Sequence, residues 1–370
     1  MKFSCDRSEL NAAISGVGKA IVSTTNLSVL EGVHIVAYTD EIELTGYDLE
    51  MAIISRIKAN VTEGGEAVVS SKLLTDMVRK ITSDTVEFEI DENLAVTVKG
   101  GNAVFNITGL PASDYPELPE PNTENHMSLS GQDLKEMVGQ TIYAVAQTDQ
   151  KPVHTGIKFF LGFNELTLVA VDGYRLAVAN KKLINTDERS FVVPARTLNE
   201  VCQLIGNSDE TIEISTARRY AVFTIKGYTV LTRLLEGEFL DYKRSIPEGY
   251  RTKILVNVGQ LEDCVERALL LITDRFKSPI RLKFESGTAY ILCKTSLGNS
   301  YDELSLEQEG DDLEIGFNAR YLLDALKNCN SDEVWFELNG PTSPMKILPK
   351  EGDSFLFLVL PVRKIGRAHV

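Results

Sequence analysis

Apolar residues recur along this chain with the spacing of amphipathic helices and, between those helices, with the alternation of half-buried strands. Positions i, i+3, i+4 and i+7 are apolar in segments that begin at Leu10, Leu134 and Leu261. Alternating runs such as residues 33–48 and 157–174 are bounded by turn residues and predict hairpins. Helices interspersed with hairpins predict an α+β fold.

A second helix is predicted in three places that share one sequence pattern at a spacing of 124 residues. The three segments begin at Val68, Val192 and Gly316. One column of this pattern is always basic and is occupied by Lys72, Arg196 and Arg320. After this basic column, columns of apolar and acidic residues follow in the same order in all three segments. We therefore predict three tandem copies of one domain, each with two helices packed on antiparallel sheet.

Composition shifts to proline and polar residues in two segments, 116–126 and 246–253, which we interpret as linkers. The predicted domains are residues 1–120, 121–250 and 251–364. The last residues, 365–370 (IGRAHV), resemble a translated sequencing adapter. We expect them to be a non-native tail that is extended and exposed.

The charge balance limits the classes of function. The chain has 370 residues, with 38 Lys and Arg against 53 Asp and Glu, which gives a net charge of −15. A protein that holds nucleic acid by its overall field is excluded, because such binding needs cations opposite the phosphates. Any contact with DNA must use a local patch. The predicted helices are close to neutral, so the negative charge lies mainly elsewhere.

The five cysteines are scattered and never form a CxxC pair, which argues against a disulfide framework and against a zinc site. We expect no metal and no cofactor. No run of 18 apolar residues exists, and the first residues lack the layout of a signal peptide. We therefore predict a cytoplasmic protein.

The three-fold repeat and five motifs resemble the bacterial DNA polymerase III beta subunit family, the sliding clamps. The motifs are VDGYRLAVA (171–179), GEFLDYKRSIP (237–247), EIGFNARYLLDAL (314–326), GPTSPMKI (340–347) and FLFLVLPVR (355–363). The resemblance implies a ring-forming, non-catalytic head-to-tail homodimer that encircles duplex DNA. Its partners would be the replicative polymerase alpha subunit, clamp-loader subunits and other proteins with a clamp-binding motif, and no membrane.

A simple estimate agrees with a ring of two chains. Twelve helices about 10 Å apart give a circumference near 120 Å, which leaves a channel of roughly 28 Å once the helix radius is removed. One chain alone would leave roughly 9 Å by the same calculation. Duplex DNA would pass through the first channel and not through the second.

The resemblance also implies a cleft that accepts an extended peptide with apolar side chains. Its candidate residues are His154, Gly173, Tyr174, Arg175, Leu176, Leu240, Arg244, Ser245, Leu358, Leu360, Val362 and Arg363. His154, Val171 and Leu240 depart from the family's usual residues, so the preferred peptide would differ slightly. For each apolar residue of this set, ordinary core packing is the alternative.

Two further surfaces are predicted. The DNA-facing candidates are Lys72, Arg79, Lys80, Arg196 and Arg320. The recurring base lies in the first turn of its helix and four residues before an acid, and neither position is favourable within a helix. A shared phosphate environment explains this column, and a solvated charge is the alternative. The candidates for the dimer contact are Phe105, Ile107, Leu270 and Leu271. We expect the apolar run 269–272 to lie together on a helix, which is more than one buried stripe needs, and core burial of the whole run is the alternative.

Two other classes of function remain open. His154, Asp172 and Arg175 could serve as acid, base and anchor of an enzyme, although no nucleophile elbow, Walker loop or HExxH motif accompanies them. A monomeric scaffold that binds peptides without DNA is the second alternative. The mass of the native particle would separate that scaffold from a ring.

Overall fold

The structure, a computed structural model, describes residues 1–123, 125–148, 150–183, 188–273 and 278–362. The predictions for Arg363 and for the tail 365–370 fall outside these ranges. No helix of the described residues is long and apolar enough to cross a membrane.

Both helices of each predicted copy are present. They are α1 Arg7–Val17, α2 Ser71–Lys80, α3 Gly131–Ile142, α4 Ala195–Ile205, α5 Val258–Leu269 and α6 Ala319–Lys327. Side chains cap α1, α3, α5 and α6, because Asp6, Ser130, Asn257 and Asn318 accept hydrogen bonds from backbone N–H groups of the first turn. Short 3₁₀ turns are formed by Gly18–Ala20, Ser28–Glu31, Ala112–Asp114, Pro152–Thr155 and Tyr242–Ser245.

The expectation that residues 269–272 lie together on a helix is wrong. Helix α5 ends at Leu269, and the backbone N–H groups of Leu270, Leu271 and Ile272 bond to carbonyls three residues earlier. Such bonds tighten the chain into a 3₁₀-type turn at a helix end. The apolar run therefore leaves the helix before its last three members.

Strands occupy most of the remaining chain. In the first 120 residues they are β1 Lys2–Asp6, β2 Gly32–Ala37, β3 Glu41–Tyr47, β4 Met51–Glu63, β5 Gly65–Ser70, β6 Thr85–Ile90, β7 Ala95–Gly100 and β8 Ala103–Thr108. The next are β9 Asn125–Ser130, β10 Gly156–Leu161, β11 Glu165–Val171, β12 Arg175–Lys182, β13 Arg189–Pro194, β14 Thr211–Thr216, β15 Tyr220–Ile225 and β16 Tyr228–Arg233. The last are β17 Thr252–Asn257, β18 Ile280–Glu285, β19 Thr288–Lys294, β20 Asn299–Ser305, β21 Glu307–Gly310, β22 Leu313–Phe317, β23 Glu333–Leu338, β24 Met345–Pro349 and β25 Phe355–Val359.

The chain forms two compact units. The first comprises residues 1–132 and 196–234, and the second comprises residues 133–195 and the chain from Leu235 onward. The fold class is α+β, as predicted, because helices pack on sheets whose described strand pairs are all antiparallel. The domain boundaries at 120 and 250 stay a prediction.

The first unit contains a 12-stranded sheet that runs in the order β8-β7-β6-β1-β4-β16-β15-β14-β9, with β3, β2 and β5 continuing from β4. Strand β4 makes this possible because it is long: its first half pairs with β16 and its second half with β1. Helix α1 buries Leu10, Ile14 and Val17. A side chain at Gly46 would meet the carbonyl of Val17 at 2.1 Å, so glycine allows the helix to lie close to β3.

The second unit contains a nine-stranded sheet in the order β13-β10-β11-β12-β25-β24-β23-β17-β21 and a four-stranded sheet in the order β20-β19-β18-β22. Beyond β25 the chain still bonds to both sheets: Leu360 N–H donates to the carbonyl of Tyr174, and Val362 N–H donates to that of Gly316. The last described residues therefore connect the two sheets.

Candidate peptide groove, cationic helix rows and strand edges

The floor of the predicted peptide cleft lies on one face of β11, β12 and β25 in the second unit. Leu176 of β12 is the register partner of Leu358 of β25, and both are buried. They form an apolar cluster with Val169, Val171 and Val178. Four more apolar side chains pack against it, namely Phe239, Tyr242, Ile246 and Leu356. The structure thus brings the two predicted leucines together, but as a buried floor.

An exposed apolar surface continues from this floor. Tyr174, Leu240, Leu360 and Val362 are large apolar side chains that each expose more than a third of their surface. Tyr174 and Leu360 are joined by the hydrogen bond beyond β25. Soluble proteins rarely group such residues without a use for them. We call this surface, with its floor of Leu176 and Leu358, the groove.

The turn that presents Tyr174 is built by Asp172 and Gly173. Asp172 Oδ1 accepts hydrogen bonds from the backbone N–H groups of Tyr174 (2.9 Å) and Arg175 (3.1 Å). Gly173 has φ +88°, a conformation that side chains other than glycine rarely adopt. The motif VDGYR therefore fixes the backbone turn that presents the exposed Tyr174.

Arg175 was predicted as a cleft residue, but its side chain lies on the face of β12 opposite to Leu176 and is 8% exposed. Its guanidinium binds Asp172 at 2.9 Å and Asp324 of α6, and it stacks 4.5 Å from the Tyr321 ring. Burial alone would lower the pKa of Arg175, yet the two carboxylates raise it above its usual value. Arg175 thus joins the turn at Asp172 to α6, on the side of β12 away from the groove floor.

His154 lies beside the groove, edge-on to the Phe239 ring at 5.2 Å. Its Nε2 atom is buried and has no hydrogen-bond partner among the described residues. Burial, with a smaller contribution from Lys151, lowers the pKa of His154 below its usual value. No hydrogen bond links it to Asp172, so the described side chains do not form the relay that the enzyme alternative requires.

Of the other cleft candidates, Arg244 is exposed and pairs with Asp241 at 2.9 Å, while Ser245 is exposed. Arg363 lies outside the described residues. Sequence reasoning missed Phe239 and Tyr242, which pack against the floor, and Tyr321, which contacts Tyr174 and Arg175. Tyr321 lies 5.8 Å from the ring of Tyr174 and lines a pocket with Asn318, Pro279 and Val362. The signal was the aromatic residues inside the quoted motifs, beside the positions that were chosen.

The second helix of each copy carries an outward row of charged residues. In α2 the row is Lys72, Asp76 and Arg79, which lie opposite the buried Leu74 and Met77. Lys80 is exposed beside the row. Lys72, Arg79 and Lys80 make no ion pair with any described residue, so the predicted DNA-facing cations of α2 are available to a ligand.

In the other two helices the acid of the row is bound by a cation from elsewhere. Glu200 of α4 accepts from Lys19 at 2.9 Å, and Asp324 of α6 accepts from Arg175. In both helices the acid four residues after the recurring base is therefore compensated by a cation outside the row. Because Glu200 and Asp324 are each neutralised by a cation outside the row, the outward faces of α4 and α6 carry less negative charge than their sequences suggest.

Arg196, the base of the α4 row, has a partner of its own. Its Nη1 atom lies 2.6 Å from Oδ2 of Asp48, whose side chain is 2% exposed. Arg320 is exposed at the start of α6, where its backbone N–H bonds to Asn318. Arg196 was predicted to face DNA, and its ion pair with the buried Asp48 also gives it a structural role.

The predicted dimer residues lie on one open strand edge and near the end of one helix. Phe105 and Ile107 are half-buried on β8, which ends the 12-stranded sheet. Leu270 is 79% exposed and Leu271 is half-buried, directly after α5. The sheet of the third copy also ends in an open strand, β20, which sequence reasoning missed.

All five cysteines lie in described ranges and none forms a disulfide. Burial raises the pKa of the Cys5 thiol to about 12. The described part of the chain holds no cluster of side chains suited to a metal ion.

Comparison with known proteins gives a consistent result over the whole chain. The DNA polymerase III beta subunit family matches with its N-terminal domain at residues 1–119, its central domain at 128–241 and its C-terminal domain at 243–363. The beta sliding clamp of Staphylococcus epidermidis is 32% identical, covering 98% of this chain and 99% of that protein. That of Staphylococcus aureus is 31% identical with the same coverage.

Solved structures agree. The DNA polymerase sliding clamp from Bacillus subtilis superposes with a TM-score of 0.95 at 28% identity, covering 98% of this chain and 99% of that one. A sliding clamp from Pseudomonas aeruginosa bound to griselimycin gives 0.93 at 27% identity, with the same coverage.

Proposed function

Because the chain belongs to the DNA polymerase III beta subunit family, the sliding clamps of DNA replication, we propose that it works as a homodimeric ring around duplex DNA. The ring would confer processivity by tethering the replicative polymerase. It would be a non-catalytic protein of the cytoplasm. The domain limits proposed for the three copies are residues 1–120, 121–250 and 251–364.

Two of the strands that end sheets, β8 and β20, carry this proposal. In the first unit, β4 of one copy pairs with β16, the last strand of the next copy. In the second unit, β12 pairs in the same way with β25. By position in the repeat, β20 corresponds to β4 and β12, and β8 corresponds to β16 and β25. Among the described strands, β20 and β8 have no partner of this kind within the chain. A head-to-tail contact between two chains would pair β20 with β8 twice and so close a ring.

Partner proteins would dock in the groove. Its exposed Tyr174, Leu240 and Leu360 would receive the apolar side chains of a short extended peptide, and the buried floor would support them. The family resemblance implies a peptide of the type QL(S/D)LF. The partners proposed are the polymerase alpha subunit, clamp-loader subunits and other proteins with such a motif.

The cations Lys72, Arg79, Lys80 and Arg320 would face the DNA. The exposed half of the Arg196 side chain would also face the DNA. Such contacts are independent of sequence and weak enough for a ring to slide, because no pocket holds a particular phosphate. The −15 charge of the chain then favours a duplex held by topology over one held by the overall field.

The mass of the native particle tests the proposal. Light scattering at micromolar concentration should report two chains, and the protein should be retained on nicked circular DNA but not on linear DNA with free ends. A single chain that binds the peptide and is not retained would establish the monomeric scaffold instead.

A further inference from the structure

A row of side chains on one face of the nine-stranded sheet leads from the groove floor to a buried ion pair. Leu176 of β12 is the register partner of Leu358, and Leu358 is in turn the register partner of Lys346 on β24. The next member is Glu337 of β23. Register partners in an antiparallel sheet point to the same face, so these four side chains form one continuous row. The charged half of the row therefore lies directly beside the floor.

Lys346 and Glu337 form the ion pair, and both are almost completely buried. Their side chains are 9% and 10% exposed, and Nζ of Lys346 lies 2.6 Å from Oε2 of Glu337. Nζ of Lys253, on β17, lies 3.8 Å from the other oxygen of the same carboxylate. A buried pair of this kind adds little to stability, because the cost of desolvation cancels much of the attraction. Stability alone therefore does not explain why the sheet carries it.

The first unit carries the same row without the charges. Leu231 pairs with β4 there as Leu358 pairs with β12 in the second unit. The next members of that row are Val222 and then Ser215. Valine and serine thus occupy the two places that the ion pair occupies in the second unit. The fold itself does not require a cation at the position of Lys346.

The ammonium group of Lys346 also holds a turn of the chain against the sheet. It donates to the carbonyl of Gly249 at 3.0 Å. The side-chain amide of Asn339 donates to the same carbonyl at 3.2 Å and to that of Glu248 at 3.3 Å. Among the described residues, no backbone hydrogen bond involves positions 247–250. Side-chain donors of the sheet therefore anchor this turn.

The anchored turn directly follows the segment that covers the groove floor. We call residues 239–246 the wall segment, because Tyr242 and Ile246 pack against the floor while Leu240 is exposed at the groove surface. Gly249 follows Ile246 by three positions. The place at which the turn is held therefore limits where the wall segment can lie.

We propose that Lys346, held by Glu337, is a positioning residue of the groove, which fixes the Gly249 turn so that the wall segment is in place before a partner peptide binds. This inference rests on the proposed function. A wall that is already ordered does not have to be ordered on binding, which removes part of the entropic cost of association. Lys346 is buried, so it acts through the wall segment and not by contact with the peptide.

Two variants of the full chain separate positioning from stability. Lys346→Met removes the donor and leaves a buried carboxylate, so the urea midpoint and the peptide affinity should both fall. Lys346→Met/Glu337→Met replaces the whole pair with apolar side chains of similar length, so the midpoint should return towards that of the unaltered chain. Gly249 still lacks its donor, so a fluorescein-labelled QLSLF peptide should bind both variants about fivefold more weakly in fluorescence anisotropy.

Hydrogen exchange is the second measurement. The backbone amides of residues 239–250 should exchange faster in the double variant, while those of β23 and β24 stay protected. The control is Lys350→Met, which breaks an exposed ion pair with Glu333 at the end of the same two strands. This control removes the same charge without touching the turn, so it should change neither peptide affinity nor exchange.

Three results would overturn the inference. Peptide affinity that recovers with the urea midpoint in the double variant would make the ion pair merely structural. Unchanged exchange of residues 239–250 would mean that Lys346 does not fix the turn. An equal loss of affinity in the Lys350 control would make the effect one of charge alone. If the unaltered chain does not bind the peptide, the proposed function of the groove fails, whereas the exchange measurement still tests the anchor, so the two failures are distinguishable.

Discussion

The guanidinium of Arg196 and the carboxylate of Asp48 form an ion pair at 2.6 Å in which the acid is almost completely buried and the base is half exposed. Asp48 also accepts two backbone hydrogen bonds from its own turn. The pair therefore joins the first turn of α4 to the hairpin between β3 and β4.

Replacing Arg196 with glutamate should destabilise the first unit, because it sets a second carboxylate against a buried one. We expect a loss of about 1–3 kcal/mol in the free energy of unfolding. Urea denaturation measures it, with Lys72→Glu as the control at the matching position of α2. Equal stability of the two variants would contradict the structural role of Arg196.

The row on α2 offers the cleaner test of DNA contact. The variant Lys72→Glu/Arg79→Glu should keep its fold and its mass while retention on nicked circular DNA falls at least fivefold, since both side chains are exposed and unpaired among the described residues. Lys58→Glu/Lys99→Glu changes the same charge on exposed strand positions and should be retained normally. Normal retention of the α2 variant would favour the solvated-charge alternative.

Replacing Leu270 and Leu271 with alanine should convert the particle from two chains to one. Leu270 is too exposed to serve the core, so its truncation removes contact area from the proposed partner. Light scattering reports the mass, and Phe163→Ala, which truncates an exposed apolar residue elsewhere in the second unit, is the control. A dimer that survives the double change would remove these leucines from the interface.

Groove binding should depend on Leu240 and Leu360. Aspartate at either position should weaken a QL(S/D)LF-type peptide at least tenfold, because it places a charge in an apolar contact. Fluorescence anisotropy measures the affinity, with Phe163→Asp as the control. Point variants are required, because deleting residues from Leu358 onward would remove a buried floor residue and both bonds between the sheets.

Acid should destabilise the second unit through His154. Its pKa is lowered in the folded chain, so between the unfolded value near 6.5 and the folded value the unfolded chain binds more protons. Stability should therefore fall as the pH drops through about 6.5. The variant His154→Leu should lose less stability than the unaltered chain between pH 7.5 and pH 5 in urea denaturation, and an identical pH dependence would refute this.

Much of the fold followed from the sequence because repeats constrain it strongly. The column of Lys72, Arg196 and Arg320 was expected in the first turn of three helices, and each of these bases is the second residue of its helix. The prediction that residues 270–272 lie on a helix was wrong, because apolar periodicity does not reveal where a helix tightens into a 3₁₀ turn.

The ion-pair partners of the site residues could not be predicted from the sequence, for a different reason. Arg175 faces away from the groove because strand residues alternate between faces, and one residue of register decides the matter. Its partner Asp324 is 149 residues away, and Lys19 is 181 residues from Glu200. No local pattern encodes such pairs, so the compensated acids of α4 and α6 could not be predicted.

The pairing of β4 with β16 also has a consequence for synthesis. Met51 finds its strand partner in Thr232, so the sheet of the first unit cannot be completed until the ribosome has made more than 180 further residues. At about 5–20 residues per second this takes about ten seconds or longer. During that interval the first half of β4 is an unprotected edge, open to pairing with another nascent chain. The interleaved sheet therefore exposes this protein to aggregation while its chain is still being made.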